Sequence, residues 1–518
     1  MPLELKLSRR HALIVSASGA AALAAPCLLA QTRRAPLQIV GPWEITGLAP
    51  ASSGFVFARL QVTETLTNAG DDGAPLPGLA TRWSTSADGL VWRFELRPTA
   101  RFHDGSAVTA AAVVRGLTAA RTAPAMLSVA PVKSIEAAGE KAVVIRLTAP
   151  FGGLLSVLSH SSTAVMSAAS YQADGSVHGI IGSGPYRISV LTPPALVETV
   201  LFDNYDGPNP DIERARYQAI GRVETRALMA ESGQADLAYS LDPASLSRLA
   251  KRASLRIENV TLPRSMILKL NAKLPALQDV RVRRALSLAI DRAGIAKALL
   301  RDADLAASQL FAPAIKSWHQ PGLPPLRYDP QAAAKLLLDA GWQKSGDGLR
   351  QPGGPALSLT LRTFPDRPEL PIVASALQAQ FKLAGIAVKV SVGNSGDIPL
   401  GHRDGSLQLG LAARNYGTLP DLTSTLLQDF GPEGGDWGAM GWRSEPLLAA
   451  LGELSRGASK PQRTAELRAQ IATVLQNELP VIPIAWYRQQ VAVSQRVDGV
   501  SLDPLERSYR LTQMKWRA

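Results

Sequence analysis

The chain has 518 residues, 46% of them hydrophobic and 19% charged, which excludes intrinsic disorder and corresponds to roughly three domain-sized units. Its 42 glycines and 37 prolines are spread without period, which excludes a collagen-like or low-complexity chain. Lys and Arg number 55 against 43 Asp and Glu, a net charge of +12, but no basic run is interleaved with aromatics, so nucleic-acid binding is not expected.

The first thirty residues differ from the rest. Lys6, Arg9 and Arg10 precede an Ala-rich apolar stretch from Ala12 to Ala30, the pattern of an export signal over residues 1–30. The run Ser8-Arg9-Arg10-His11-Ala12-Leu13 is similar to the twin-arginine motif, and the weakly apolar Ala/Gly stretch suits that route. Pro26 interrupts the stretch, which leaves it short of the ~20 strongly apolar residues that a membrane anchor needs. The single cysteine, Cys27, follows Pro26, where a lipoprotein signal requires a small residue. Cleavage near Ala30 removes it and leaves a disulfide-free periplasmic protein that depends on its packed cores.

Val91 to Leu96 alternates, with Trp92, Phe94 and Leu96 on one face, and predicts a half-buried strand. After the turn at His103-Asp104-Gly105, Thr109 is placed to cap a helix whose Val113, Val114 and Leu117 share a face. Gly182-Ser183-Gly184-Pro185 lacks the third spaced glycine of a nucleotide fingerprint and reads as a tight turn. From Val280, residues Val282, Ala285, Leu286, Ala289 and Ile290 recur at helical spacing, with Arg281, Arg283 and Arg284 expected on other faces. Asp329, Pro330 and Gly341 punctuate a second helix with a stripe of Ala333, Leu336, Leu337 and Ala340. Val373 to Ala384 is helical again, Gly385 ends it, and Val388, Val390 and Val392 alternate as a strand, so the architecture is α/β.

Signatures of catalysis are missing. The chain has no G-x-S-x-G, no G-x-x-x-x-G-K-[ST], no G-x-G-x-x-G and no H-E-x-x-H. His103, His160, His178, His319 and His402 stand alone, without the paired spacing of a zinc site, so neither a metal nor a cofactor is expected.

Several segments together resemble one family. WSTSADGLVWRFELRPTARFHDGSAVTAAAVV from Trp83 is similar to its most recognisable stretch. GSGPYRI at Gly182, FDNYDGPNPDIERARYQAI at Phe202 and SGQADL at Ser232 follow in the family's order. LKLNAKLPALQDVRVRRALSLAIDR from Leu268, YDPQAAAKLLLDAGW from Tyr328 and LPVIPIAW from Leu479 complete the series. This order and spacing resemble the extracytoplasmic solute-binding proteins of ABC importers that carry peptides and nickel chelates, family 5. QLFAPAIKSWHQPGLPPLRYDP at Gln309, and RDG at Arg403 ahead of ARNYG at Ala413, lean toward the nickel-type branch.

The resemblance implies a type II, large-form periplasmic binding protein, two α/β lobes with a ligand cleft between them. Lobe I would comprise residues 35–60, 185–262 and 485–518, with an extra subdomain over 61–184, and lobe II residues 263–484. It implies capture of a small peptide-like or chelate-like solute, or of a nickel or metal-chelate complex, for a membrane permease with ATPase subunits. It also implies a monomer that is not an enzyme; an exported hydrolase acting on peptide-like substrates is the alternative.

The family's ligand contacts are partly replaced. Asn415 stands where the peptide branch has an Asp that holds the peptide amino terminus, and Ala413 where the nickel branch has a His. That branch's arginine and tryptophan contacts fall near Ala123, Met126 and Ser161 or Ala164, none of which can clamp a carboxylate. Arg414 survives, and its guanidinium fork suits a carboxylate, though an inter-lobe or surface arginine is an equal reading. Tyr416, Trp437 and Trp442 complete the candidate ligand-binding set with Arg414 and Asn415, and core packing is the competing role for each aromatic. For the export signal, changing Arg9 and Arg10 both to Lys is expected to hold the protein in the cytoplasm. Undiminished export, read by fractionation, would overturn the twin-arginine route.

Overall fold

The computed structural model describes residues 35–517 except 123–124, 209, 347, 366, 368 and 458–459; the export-signal residues Arg9 and Arg10, and Cys27, lie outside the described residues. A ten-stranded mixed sheet is its frame. Two strands run its length, Leu255–Leu270 and Val481–Ser494, of 16 and 14 residues against a usual 5–6. They pair antiparallel from Leu255 opposite Ser494 to Lys269 opposite Val481. On one side of the sheet follow Leu237–Tyr239, Leu37–Gly41, Arg214–Ala219, Leu196–Leu201 and Tyr186–Thr192; on the other, Leu409–Asn415, Ser358–Thr363 and Ala387–Val392.

The two long strands fall out of register near their middle. Leu262 faces Tyr487, but the next pair is Ser265 with Trp486, so Pro263 and Arg264 have no partner across that ladder. Pro263 has no N–H to offer, and its carbonyl instead accepts from Tyr416 N–H at 2.7 Å. On one side of the break Val481–Ser494 pairs with Leu237–Tyr239, and on the other Leu255–Leu270 pairs with Leu409–Asn415. The sheet therefore changes its neighbouring strands on either side of Pro263, and each half carries its own core. Leu37, Ile39, Tyr186, Tyr217, Val491 and Val493 fill one. Leu268, Leu286, Leu337, Leu361, Leu377 and Phe381 fill the other.

A separate four-stranded antiparallel sheet, in the order Ala80–Thr85, Val91–Leu96, Ala142–Leu147, Val132–Ala137, lies within the segment between Leu37–Gly41 and Tyr186–Thr192. Phe94 and Leu96 point into its core as the alternation predicts, while Arg93 is exposed. The helix Ala110–Ala119 covers it, with Val113 and Leu117 buried and Thr109 Oγ1 accepting from Ala112 N–H at 3.3 Å.

The helices Val280–Leu288, Pro330–Asp339 and Glu369–Leu383 form where the spacing places them, and Asp329 Oδ1 caps the second through Ala332 N–H. Arg283 differs from expectation. It is buried rather than solvated, because its guanidinium caps three carbonyls, those of Leu277, Gln278 and Glu478. The strand Ala387–Val392 is an edge of the large sheet, so its alternation fades and Val392 is 52% exposed.

Gly182 and Gly184 also differ from expectation: they make a close crossing of two segments of the chain, not a tight turn. Gly184 N–H donates to Val62 O at 3.0 Å, and Gly182 O accepts from His103 N–H at 2.9 Å. A Cβ on Gly182 would stand 2.1 Å from Val62 O, and one on Gly184 2.1 Å from Gln61 O. Neither neighbour is a side chain that can swing away. Gly184→Ala is therefore expected to lower unfolding free energy by about 1–3 kcal/mol. Gly322→Ala, which meets nothing within 4 Å, is expected to leave it unchanged in the same urea titration.

Candidate ligand cleft

A cavity of about 1630 Å³ opens along the break in the sheet, larger than the roughly 300–1,000 Å³ of an ordinary small-molecule pocket. Its floor is the break itself, with Leu262, Arg264, Trp486 and Tyr487. One wall carries Trp43, Arg59, Glu64 and His160; the other carries Phe364, Arg367, Glu369 and Asn415. The loop from Asp503 to Arg510 adds Glu506 and Arg507.

The backbone around the cavity is under tension. Six non-glycine residues have a left-handed φ among the described residues, and five of them, Gln61, Ser240, Arg301, Glu506 and Arg510, line the cleft. Such residues cost about 1–3 kcal/mol each and collect at binding sites, where the surrounding packing holds them.

Eight arginines and six carboxylates line the cavity. Every carboxylate already accepts a hydrogen bond from this chain: Glu64 from Arg97, Asp71 from Arg510, Asp242 from Ala244 N–H, Glu369 from Tyr487, Asp503 from Arg507 and Glu506 from Arg264. The cations are less completely matched. Arg226 is taken up by the carbonyls of Ile220, Gly221, Tyr239 and Ser240. Arg59, Arg301 and Arg367 form no ion pair with a carboxylate among the described residues. Arg59 lies over Trp43, 4.1 Å from the ring centre, and Arg367 over Tyr487 at 5.5 Å.

His160 is the cleft's histidine among the described residues. Its Nδ1 accepts from Ser162 N–H at 3.1 Å, which places the proton of the neutral ring on Nε2. Burial pushes its pKa down to about 4, so at neutral pH it offers an N–H donor and not a lone pair. Among the described residues no group of three His, Cys, Asp or Glu side chains is placed to hold a metal ion.

Four of the five side chains expected at the ligand stand outside the cavity lining. Arg414 gives its fork to Asp429, with Nε to Oδ2 at 2.7 Å and Nη2 to Oδ1 at 2.8 Å, and Asp429 is 1% exposed. Burial raises the Asp429 pKa while Arg414 opposes the shift. The guanidinium that was expected to meet a ligand carboxylate thus satisfies an internal one. Tyr416 is fully buried edge-on to Phe311 at 5.8 Å, and burial pushes its hydroxyl pKa well up. Trp442 packs edge-on to Phe430 and donates Nε1–H to Glu478 at 3.2 Å; Trp437 stands behind the cleft residue Phe364 at 6.2 Å.

Asn415 lines the cavity, with Oδ1 taken up by Gly417 N–H at 2.8 Å, so a ligand meets an amide and no counter-charge there. Of the positions where family contacts appear replaced, Ser161 lines the cleft, Met126 packs on the subdomain core, and Ala123 lies outside the described residues. Sequence reasoning passed over Arg59, Arg264, Arg367, Tyr487 and Glu506. One signal was present, a proline inside the apolar run before Leu268, which marks a strand break and places Arg264 beside it.

A cleft between two half-sheets joined by continuous strands, lined by unpaired cations and strained backbone, defines a two-lobed solute-binding protein. The chain matches the bacterial extracellular solute-binding proteins, family 5 Middle, over residues 74–436. It is 26% identical to the nickel-binding periplasmic protein of Escherichia coli (strain K12) over 478 residues, 89% of this chain and 90% of that one. It is also 26% identical to the glutathione-binding protein GsiB of the same strain over 325 residues, 61% of each. NikA from Brucella suis, solved in complex with Fe(III)-EDTA, superposes with a TM-score of 0.83 at 25% identity, covering 93% of this chain and 100% of that one. The chain belongs to the family 5 solute-binding proteins of ABC importers, with the two-lobed type II fold of that class.

Breaking the Arg414–Asp429 pair removes both hydrogen bonds that Arg414 gives to the buried Asp429 carboxylate. Arg414→Ala is accordingly expected to cost about 3–5 kcal/mol of stability in urea unfolding. Because the pair lies behind the cleft wall, affinity of the folded variant for a bound solute is expected to stay within about twofold by calorimetry; a tenfold loss would put Arg414 at the ligand.

Proposed function

We propose that the cargo is a small solute carrying carboxylate groups, peptide-like or chelate-like, bound in the periplasm by a monomer and handed to a permease with ATPase subunits. The observation that carries this reading is the charge imbalance of the cleft. Its six carboxylates are all engaged, whereas Arg59, Arg301 and Arg367 have no ion pair among the described residues. A carboxylate ligand supplies the missing counter-charge in a partly desolvated site, where a charge-assisted hydrogen bond is roughly twice as strong as a neutral one. A relative named for glutathione and a structural neighbour solved in complex with Fe(III)-EDTA, both polycarboxylates, support the class. Asn415, in place of an acidic residue, fits a ligand group without a positive charge.

A nickel or metal-chelate cargo is a special case of the same reading. With His160 held as a donor tautomer, the metal would arrive inside a chelator that brings its own ligands. The exported-hydrolase alternative lacks comparable support. Ser162, which shares a hydrogen bond with His160, is buried, and its Oγ accepts from Met126 N–H.

Residues 35–60, 185–262 and 485–518 would move as lobe I with the subdomain 61–184, and 263–484 as lobe II, pivoting where the long strands lose register. Ligand drives closure only through its preference for the closed form. Raising a closed state from about 1% to about 99% requires roughly 5.5 kcal/mol of that preference.

Thermal-shift screening of the leaderless protein tests the class. A ligand at about 100 times its Kd adds about 2.7 kcal/mol of stability. Glutathione, dipeptides and metal–histidine or metal–EDTA chelates are the expected binders, with dipeptide amides weaker than the acids. Arg367→Gln is expected to weaken the best of them at least tenfold. Binding confined to uncharged solutes, or turnover of any solute, would overturn the proposal.

A further inference from the structure

The arginines of the cleft converge on a carboxylate that the chain itself supplies. Glu506 Oε2 accepts from Arg264 Nη2 at 2.8 Å and its Oε1 from Gln489 Nε2 at 3.3 Å, while its main-chain carbonyl accepts from Arg59 Nε at 2.8 Å. Arg59 ends the helix Pro50–Arg59, whereas Arg264 occupies the break in the long strand. One residue of the 503–510 loop therefore bridges a wall of the cleft and its floor.

The donors there outnumber the acceptors. Arg59 is 9% exposed and its Nη1 has no hydrogen-bond partner, and the same holds for the buried Nε of Arg264. A native fold seldom leaves such N–H groups unmatched, since each costs about 1–3 kcal/mol. Arg264 and Arg367 both lie over the ring of Tyr487, at 5.8 and 5.5 Å, so two guanidinium groups share one ring, and Arg59 approaches from the other side through the main-chain carbonyl of Glu506. The carboxylates facing them are Glu506 and Glu369, and Glu369 accepts from the Tyr487 hydroxyl at 2.7 Å.

The segment that presents Glu506 is irregular. Glu506 itself has φ +57°, as does Arg510, and the segment is pinned by ion pairs of Asp503 with Arg507 and Arg510. Moving the Glu506 side chain away breaks no strand or helix.

We propose that Arg59, Arg264 and Arg367 form a carboxylate subsite and that Glu506 is its resident occupant, displaced when a carboxylate of the cargo binds. In the empty cleft Glu506 supplies the counter-charge without which buried guanidinium groups are costly. On binding, the ligand oxygens take up Arg264 and reach the unmatched N–H groups of Arg59 and Arg264, which a single side chain on this loop leaves unfilled. Glu506 thereby also sets specificity, because an uncharged ligand group has nothing to gain by replacing it. The proposal rests on the reading of the cleft as a carboxylate site.

The test uses succinate as probe, titrated at constant ionic strength with chloride as control, and followed by tryptophan fluorescence and thermal shift of the leaderless protein. Glu506→Gln keeps the size of the side chain and removes its charge, and is expected to bind succinate at least tenfold more tightly than the parent. Adding Arg264→Gln is expected to abolish the gain. Glu506→Asp, which keeps the charge and so guards against loss of the fold, withdraws the carboxylate from Arg264 and is expected to give a smaller increase. Succinate affinities of both Glu506 variants equal to or below the parent value would overturn the proposal. That comparison is independent of the natural cargo, so a panel that finds only uncharged solutes defeats the proposed function without deciding this outcome.

Discussion

The antiparallel pairing of Leu255–Leu270 with Val481–Ser494, and its interruption at Pro263 and Arg264, is the constraint on which the rest depends. Two strands hydrogen-bonded along their length hold both halves of the sheet together. A proline that cannot donate, with the register shift beside it, makes one point on that connection weaker than the rest. The cavity opens at this point, and Arg264, Trp486 and Tyr487, which flank the lost register, line its floor.

Charge is arranged around that floor so that the unoccupied protein stays folded. Several buried guanidinium groups away from the ligand-facing cations are matched by the chain itself: Arg226 and Arg283 by main-chain carbonyls, Arg414 by Asp429. Arg292 shows how far this extends, since carbonyls of Pro483 and Ser287 surround it and burial pushes its pKa down to about 9. At the cleft the matching stops short, and what is left over is positive. Residual positive charge inside a concave, partly desolvated site is a stronger statement about ligand than the net charge of the whole chain, which is diffuse.

Much of the fold was legible because it rests on local regularities. The cap at Asp329, the helical stripe through Leu337 and the alternation around Phe94 are set by neighbours within a few residues, and these elements formed as the spacing implied. The same local logic misread Arg283, because its acceptors include Glu478 on a distant helix, and Gly182, because the chain it crosses belongs to Val62. The site was less legible still. Arg414 has the right chemistry and a plausible position, but whether a guanidinium meets a ligand or an internal carboxylate depends on where Asp429 lies. A fifteen-residue separation in sequence does not reveal that the two are 2.7 Å apart.

The sequence by itself determined the α/β class, the capped helices and the family resemblance. These follow from periodicity, backbone chemistry and ordered motifs, all of which are properties of neighbouring residues. Only the tertiary structure decided which side chains face the cleft. Arg59, Arg264, Arg367 and Glu506 come from four separate segments, and each is defined as a binding or a structural group by the hydrogen-bond partners that folding leaves it. Partner geometry is long-range, and the free energy of a buried charge turns on it, so which side chains face the cleft is decided by packing.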